Sequence, residues 1–417
     1  MSSDFFATKN IFDFINPTLR CDKNMYRKKI KNAISQCFLI FIIGLFNLFL
    51  FLFPKEILNS SRDAIILWAN NILPALLPFL IGTNILIKTE IIDLISFFCE
   101  PIMMRIFKIS GSGSFAVISG MICGYPVGAK IIKNLIEENK ISRAEAQILI
   151  SFCNNPGPIF ILGTVGINML NNKKLGYVLM IAIYFAAIIN GLIFSFFIKN
   201  KVSVGDKKNN LSRIFFYGKN KNFGILISES ISEAIFSVLQ IGGFVVLFGI
   251  LCKILELSNI IKTIWLPVSK INFFKELGYK NFYGLIFGLV EITNGAKSLL
   301  ENNLCQSNLI LLASLMAFGG FCVHMQTISF IAKTGINVGL YIFAKVTHAF
   351  ISIVLMKIIF LFVNFDFKAA NIQTFLQNKS SFYNAIILSC KNFGLLVLIN
   401  LFLIFIYYVS KNFRCHK

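Results

Sequence analysis

Asn154-Asn155-Pro156-Gly157-Pro158 sets two side-chain amides and two prolines between the apolar runs Ile148-Leu149-Ile150 and Ile159-Phe160-Ile161. Each proline removes a backbone donor and frees carbonyls upstream, while an amide both donates and accepts hydrogen bonds. The island is either a kinked helix whose amides satisfy those carbonyls or a polar site lining a pathway, and the cost of polar groups in apolar surroundings favours the site. Gly124-Tyr125-Pro126-Val127-Gly128-Ala129-Lys130 raises the same choice. Gly124 and Gly128 would let backbone approach a ligand, Pro126 would turn the chain, Tyr125 would offer a ring face and a hydroxyl, and Lys130 a cation. Gly120, Gly124 and Gly128 also recur every fourth residue, a stripe suited to close helix contact. Packing is the reading for Gly120; for the Gly-Tyr-Pro unit it is a binding tip, because a proline and a tyrosine add nothing to a tight helix contact.

Glu291-Ile292-Thr293-Asn294-Gly295, followed by Lys297, places a carboxylate in a second interrupted apolar run. Glu291 could be a protonation site, a cation ligand or a partner of Lys297 or Lys130, or it could form a purely structural ion pair. Gly319-Gly320 followed by His324 and Gln326 reads as an unwound helix centre with polar groups one turn on. His324 is open between a hydrogen-bonded core residue and a ligand or proton carrier. Glu229 and Glu233, one turn apart, are read as lying in the interfacial layer. There is no HExxH, Walker A loop, GxSxG or Cys/His cluster, so no enzyme, metal or cofactor is expected.

The elements that must position these residues are membrane helices. The 417-residue chain is 56% hydrophobic and 14% charged, with a mean hydropathy of +0.74, too apolar for a soluble protein of its size. Its 40 Lys and Arg against 19 Asp and Glu give a net charge of +21, but they fall mainly in tails and connections, as the positive-inside rule requires of a multi-pass protein and not of a nucleic-acid binder. The ten cysteines are scattered, with no CxxC pair, and read as small buried hydrophobes.

With roughly 20 apolar residues per span, crossings are expected at about 37–54, 62–88, 144–170, 175–198, 224–256, 306–333, 336–364 and 384–410. The first resembles a retained signal anchor behind a basic extension, 1–36. Residues 91–109 and 258–278, with Pro101 and Pro267, read as interfacial helices. Residues 113–136 and 281–300 read as re-entrant hairpins, whose broken backbone needs protein or a wet cavity around it.

This order occurs twice, at 62–198 and at 223–364, with about 167 residues between Gly128-Ala129-Lys130 and Gly295-Ala296-Lys297. The extension, with seven Lys and Arg, the 199–222 connection, with seven more, and the basic C-terminus all belong on the cytoplasmic side. Three crossings per repeat then make the repeats inverted. The expected fold is an all-α polytopic membrane protein with two re-entrant hairpins, two discontinuous helices and about 8 crossings, the plan of a secondary transporter.

The ordered set SGMICGYPVGAKIIKNL (119–135), NNPGPIFILGTVG (154–166), IGGFVVLFGIL (241–251), GLVEITNGAKSL (288–299) and FGGFCVHMQTISFI (318–331) resembles the sporulation integral membrane protein YlbJ family, also called SpoVV, of the nucleoside-recognition or Gate group. The resemblance covers about 62–364; the long basic extension departs from it. It implies a plan similar to concentrative nucleoside transporters, a homo-oligomer being left open. It also implies a role in sporulation: moving dipicolinic acid from the mother cell across the outer forespore membrane. Dipicolinate is a planar dianion, compatible with helix N-termini, amides, a Tyr ring, Lys130 and Lys297. A carrier of a nucleoside or another small metabolite on the same scaffold is the alternative.

Overall fold

The computed structural model describes residues 42–88, 91–198, 223–300 and 305–363, with Gln36 and Ile40 besides. All belong to the unit Met1–Asn364. The rest of the basic extension, the 199–222 connection and the expected 384–410 helix lie outside the described residues.

Every described element is a helix. Helix α1 (Ile42–Leu52) meets α2 (Pro54–Leu67) at a bend of 103°. Pro54 has no N–H to continue the first helix, but its fixed φ suits the first turn of the next. A π-helical turn, Trp68–Ile72, leads into α3 (Leu73–Lys88), and α4 (Ile91–Phe107) carries Pro101 inside it. The first hairpin is α5 (Gly113–Cys123) with α6 (Val127–Glu137). Next come α7 (Arg143–Phe152), a π-helix at Ile159–Met169 and the unbroken α8 (Lys173–Phe197). The second half runs from the 35-residue α9 (Phe223–Leu257) through the short α10 (Ile260–Val268) and α11 (Asn272–Leu277). It continues into the hairpin of α12 (Tyr279–Val290) and α13 (Ile292–Leu300), the pair α14 (Gln306–Phe318) and α15 (Gly320–Ile331), and α16 (Val338–Phe362).

Local signals set these boundaries. Ser142 opens α7 with a capping box: its hydroxyl accepts from Glu145 N (3.1 Å) and the Glu145 carboxylate accepts from Ser142 N (2.7 Å). The other Glu145 oxygen accepts from Ser110 N at 2.6 Å, tying the α4–α5 connection to the same cap. Asn172 and Asn337 cap α8 and α16, each side-chain oxygen accepting from backbone N–H in the first turn. Helix α5 stops at Gly124 (φ 82°) and α14 at Gly319 (φ 101°), left-handed positions that glycine fills without a Cβ clash.

Among the described residues four helices are long and apolar enough to cross a membrane: α8, α9, the α14–α15 pair and α16; the bent pair from Ile42 to Asn70 makes a fifth if it is one span. The expected crossing at 144–170 is two half-helices of 10 and 11 residues separated by the break. Apolar side chains cover the outside, with Phe185 59%, Phe236 70% and Phe362 84% exposed, whereas polar side chains such as Asn154, Asn190, Lys345 and His348 sit at 0%. Such an inside-out distribution suits a lipid surround.

Both hairpins close on glycine. A Cβ at Gly128 would lie 3.4 Å from the Gly120 Cα, and one at Gly295 would lie 2.1 Å from the Gly288 Cα. Gly120 also faces the next element, where a Cβ would stand 2.1 Å from the Cys153 carbonyl oxygen. Gly120→Ala and Gly295→Ala should therefore each cost about 1–3 kcal/mol. Gly82→Ala, where nothing lies within 4 Å, should be neutral or slightly stabilising. Thermal melting of the purified protein checks this, and an equal response at all three positions would refute the close docking.

Candidate functional site

The tip of the first hairpin rests on the break after α7. Tyr125 N donates to the Asn155 carbonyl at 2.6 Å, and the Tyr125–Pro126 peptide is cis. A Cβ on Gly124 would meet Gly157 N at 2.3 Å, one on Gly128 the Cys153 carbonyl oxygen at 2.5 Å, and one on Gly157 the Cys123 carbonyl oxygen at 2.8 Å. What these glycines bring together is backbone with backbone. The whole stripe Gly120, Gly124, Gly128 is a packing seam, including the two glycines expected to face a ligand.

The break itself is braced carbonyl by carbonyl. Ser151 O accepts from Asn190 Nδ2 (2.8 Å), Phe152 O from Asn155 Nδ2 (2.6 Å) and Asn154 O from the Lys345 ammonium (2.8 Å). The Tyr184 hydroxyl lies 3.0 Å from Pro156 O and 2.7 Å from Met121 O, joining the break to α5. Asn190 also donates to Ala344 O (2.9 Å) and accepts from Thr347 (2.7 Å), which locks α8 to α16. Backbone freed by two prolines inside an apolar protein demands this accounting.

From the break a second set of contacts runs to the other half of the chain. Asn154 Nδ2 donates to Thr327 Oγ1 at 2.8 Å and lies 3.4 Å from the Tyr341 hydroxyl, which in turn sits 2.9 Å from His324 Nδ1. Phe318 lies edge-on to the His324 ring with centroids 4.5 Å apart. Gly319 leaves room beside Tyr125: a Cβ there would be 3.9 Å from Tyr125 Cε1. Four buried polar atoms at this junction have no hydrogen-bond partner among the described residues: Tyr125 Oη, Asn154 Oδ1, Asn155 Oδ1 and His324 Nε2. The Asn155 amide is oriented by its bond to Phe152 O, so its open atom is an acceptor.

The second hairpin is built differently. Glu291 ends α12 and caps α13, its two carboxylate oxygens accepting from Thr293 N (3.0 Å) and Asn294 N (2.9 Å). Gly320 packs on this turn, where a Cβ would meet Gly288 O at 2.8 Å. Gln326 is buried with Nε2 3.3 Å from Cys322 Sγ, and Lys297 is exposed on α13.

Lys130 points away from the junction, donating to Glu233 O at 3.2 Å. Glu229 and Glu233, expected in the interfacial layer, both take the Lys88 ammonium, at 2.9 and 2.8 Å. So the structure gathers Gly124, Tyr125, Asn154, Asn155, Pro156, Gly157, Gly319 and His324 into one junction. Glu291, Thr293, Asn294, Gly295 and Gly320 form the neighbouring hairpin turn, and Lys130, Lys297 and Gln326 stand apart. The six described cysteines are free.

These features define an all-helical, multi-pass integral membrane protein in which a helical hairpin is docked on a broken helix. The family described as nucleoside recognition, Gate, matches residues 69–165, which contain the first hairpin and the break. The chain is also similar to the sporulation integral membrane protein YlbJ of Bacillus subtilis, with 27% identity over 299 residues, 68% of this chain and 72% of that protein. Both matches bear out the resemblance read from the motifs. No solved structure matches.

Sequence reasoning passed over Tyr184, Asn190, Thr327, Tyr341, Lys345, Thr347 and His348. The signal that could have found three of them is the pattern of ionisable and phenolic side chains at Tyr341, Lys345 and His348 on one face of an otherwise apolar helix. Tyr341→Phe should cost about 1–3 kcal/mol, because it strips His324 Nδ1 of its partner in a buried site. Thr327→Val should cost less, since Asn154 keeps the Tyr341 hydroxyl. Melting of the two single variants and the double variant reads both the order and the coupling between them.

Proposed function

We propose that this protein is a secondary carrier that moves dipicolinate from the mother cell across the outer forespore membrane during sporulation. The observation that carries the reading is the junction of hairpin tip and break, where four buried polar atoms have no partner among the described residues, beside carbonyls that Asn155 and Lys345 brace. Buried polar atoms are as a rule paired, so four open ones gathered at one junction suit a solute that pairs them. Similarity to a sporulation membrane protein supports the setting, and similarity to a nucleoside-recognition family supports a small, ring-bearing solute.

On this reading the two halves are inverted repeats, and the hairpins α5–α6 and α12–α13 are re-entrant, leaving on the side they enter. Both termini are cytoplasmic. The proposed binding residues are Gly124, Tyr125, Pro126, Asn154, Asn155, Pro156 and Gly157 from the first half, with Gly319 and His324 from the second and the neighbouring turn of Glu291, Thr293, Asn294, Gly295 and Gly320 beside them; Lys130, Lys297 and Gln326, which stand apart from the junction, are not among them. Tyr125 and His324 present rings and the amides present polar edges, while Gly124, Gly128, Pro156 and Gly157 shape the seam that holds them. If the mother-cell side is negative, export of two charges gains about 4–5 kcal/mol per 100 mV, enough for a uniporter. Assembly as a homo-oligomer is compatible with the plan.

A nucleoside carrier is the second reading. The description of the matching family favours it, and so does the open acceptor of Asn155, which suits a ribose hydroxyl or a base N–H.

Uptake of labelled dipicolinate into vesicles containing the purified protein, with and without an imposed potential, decides between them. Saturable uptake that follows the potential, reduced about tenfold by Asn155→Ala, is the expected result. Uptake of a labelled nucleoside in place of dipicolinate would establish the second reading.

A further inference from the structure

Helix α16 is 25 residues long and apolar enough to cross a membrane, yet Lys345 and His348 lie one turn apart on it, each 0% exposed. The Lys345 ammonium donates to Asn154 O at 2.8 Å and lies 3.3 Å from His348 Nδ1. His348 Nε2 lies 2.9 Å from Ile183 O. A carbonyl only accepts, so Nε2 carries the proton, Nδ1 is bare, and Lys345 donates to the imidazole as well. Two of the three N–H groups of the ammonium are thereby used.

No charge answers it. Among the described residues no carboxylate lies within ion-pair distance of Lys345. Lys88, by contrast, holds both Glu229 and Glu233, and Glu145 completes a helix cap. Bracing a carbonyl of the break does not need a cation either, because the neutral side chains of Asn190 and Tyr184 do the same for Ser151 O and Pro156 O. A buried lysine without a counter-charge keeps its proton only at a cost, and a carboxylate arriving beside it would offset that cost.

We infer that Lys345 supplies the positive charge that a carboxylate of the transported solute meets at the junction, so that the carrier takes carboxylate anions in preference to neutral solutes of the same shape. This rests on the reading of the junction as the transport site. Asn154 links the two: its carbonyl is held by Lys345, and its open Oδ1 belongs to the junction. In surroundings of low dielectric, a charge at one residue's remove still acts strongly on an incoming anion.

The test uses full-length protein in vesicles and four labelled probes: dipicolinate, benzene-1,3-dicarboxylate, the neutral pyridine-2,6-dicarboxamide and uridine. The readout is the ratio of anion to neutral uptake, which a merely structural lesion would leave unchanged. Lys345→Gln, which keeps a donor for Asn154 O and removes the charge, should lower that ratio about tenfold or more. Lys345→Arg should restore much of it. If dipicolinate is taken up and Lys345→Gln leaves the ratio unaltered, the inference falls and the dipicolinate reading stands. If benzene-1,3-dicarboxylate is carried in a Lys345-dependent way and dipicolinate is not, the reverse holds. Wild-type uptake of uridine or the diamide with exclusion of both dicarboxylates would overturn both. Should Lys345→Gln not fold, the wild-type preference among the four probes remains a test, and equal uptake of dicarboxylate and diamide would refute the inference.

Discussion

The interrupted backbone between Phe152 and Ile159 is the constraint on which the rest of the structure depends. Two prolines in an apolar setting leave carbonyls that no helix can satisfy, and the surrounding protein must supply donors for them. Asn190 and Tyr184 come from α8, Lys345 from α16 and Tyr125 N from the first hairpin. Each of these four bonds is therefore also a bond between elements, so the site and the tertiary fold are held by the same contacts.

Glycine sets how closely that assembly can form. Gly120, Gly124 and Gly128 let α5 and α6 touch the carbonyl of Cys153 and the amide of Gly157, and in the second half Gly288, Gly295 and Gly320 give a similar fit. The two tips differ in how their turns are satisfied. The first is held by the Tyr125 N–H on the break, while the second is held by the Glu291 carboxylate on its own helix. The first junction, with its polar atoms still open, is the place where a solute has something to bind.

A separate polar cluster joins the C-terminal end of α3 to the N-terminal part of α9. Lys88 on α3 bridges Glu229 and Glu233 on α9, and Asn84 Nδ2 donates to Ser230 O at 3.0 Å on the same pair of helices. Lys130 from the first hairpin joins them through Glu233 O. This cluster pins the hairpin to the helices beside it, and Gln147 with Asn337 does a similar task between α7 and α16.

From the sequence alone, the breaks could be located at Gly124-Tyr125-Pro126, at Asn154 to Pro158, at Glu291 and at Gly319-Gly320, because glycine, proline and polar residues interrupt a helix by local chemistry alone. The all-helical class and the apolar outer surface were equally plain, since both follow from composition and run length. The 103° bend ahead of α2 and the π-helical stretches were not. What only the tertiary structure decided was which polar residues brace and which remain open. Asn154 and Asn155 look alike in the sequence, yet one amide reaches Thr327 and Tyr341 across the fold while the other folds back on Phe152 O. Lys130 was the obvious cation, but Lys345 is the one at the break, because its partner Asn154 is brought to it by the packing of α7 on α16 and not by nearness in the chain. Hydrogen bonds between residues well over a hundred positions apart depend on how helices dock, and no local pattern of residues encodes that.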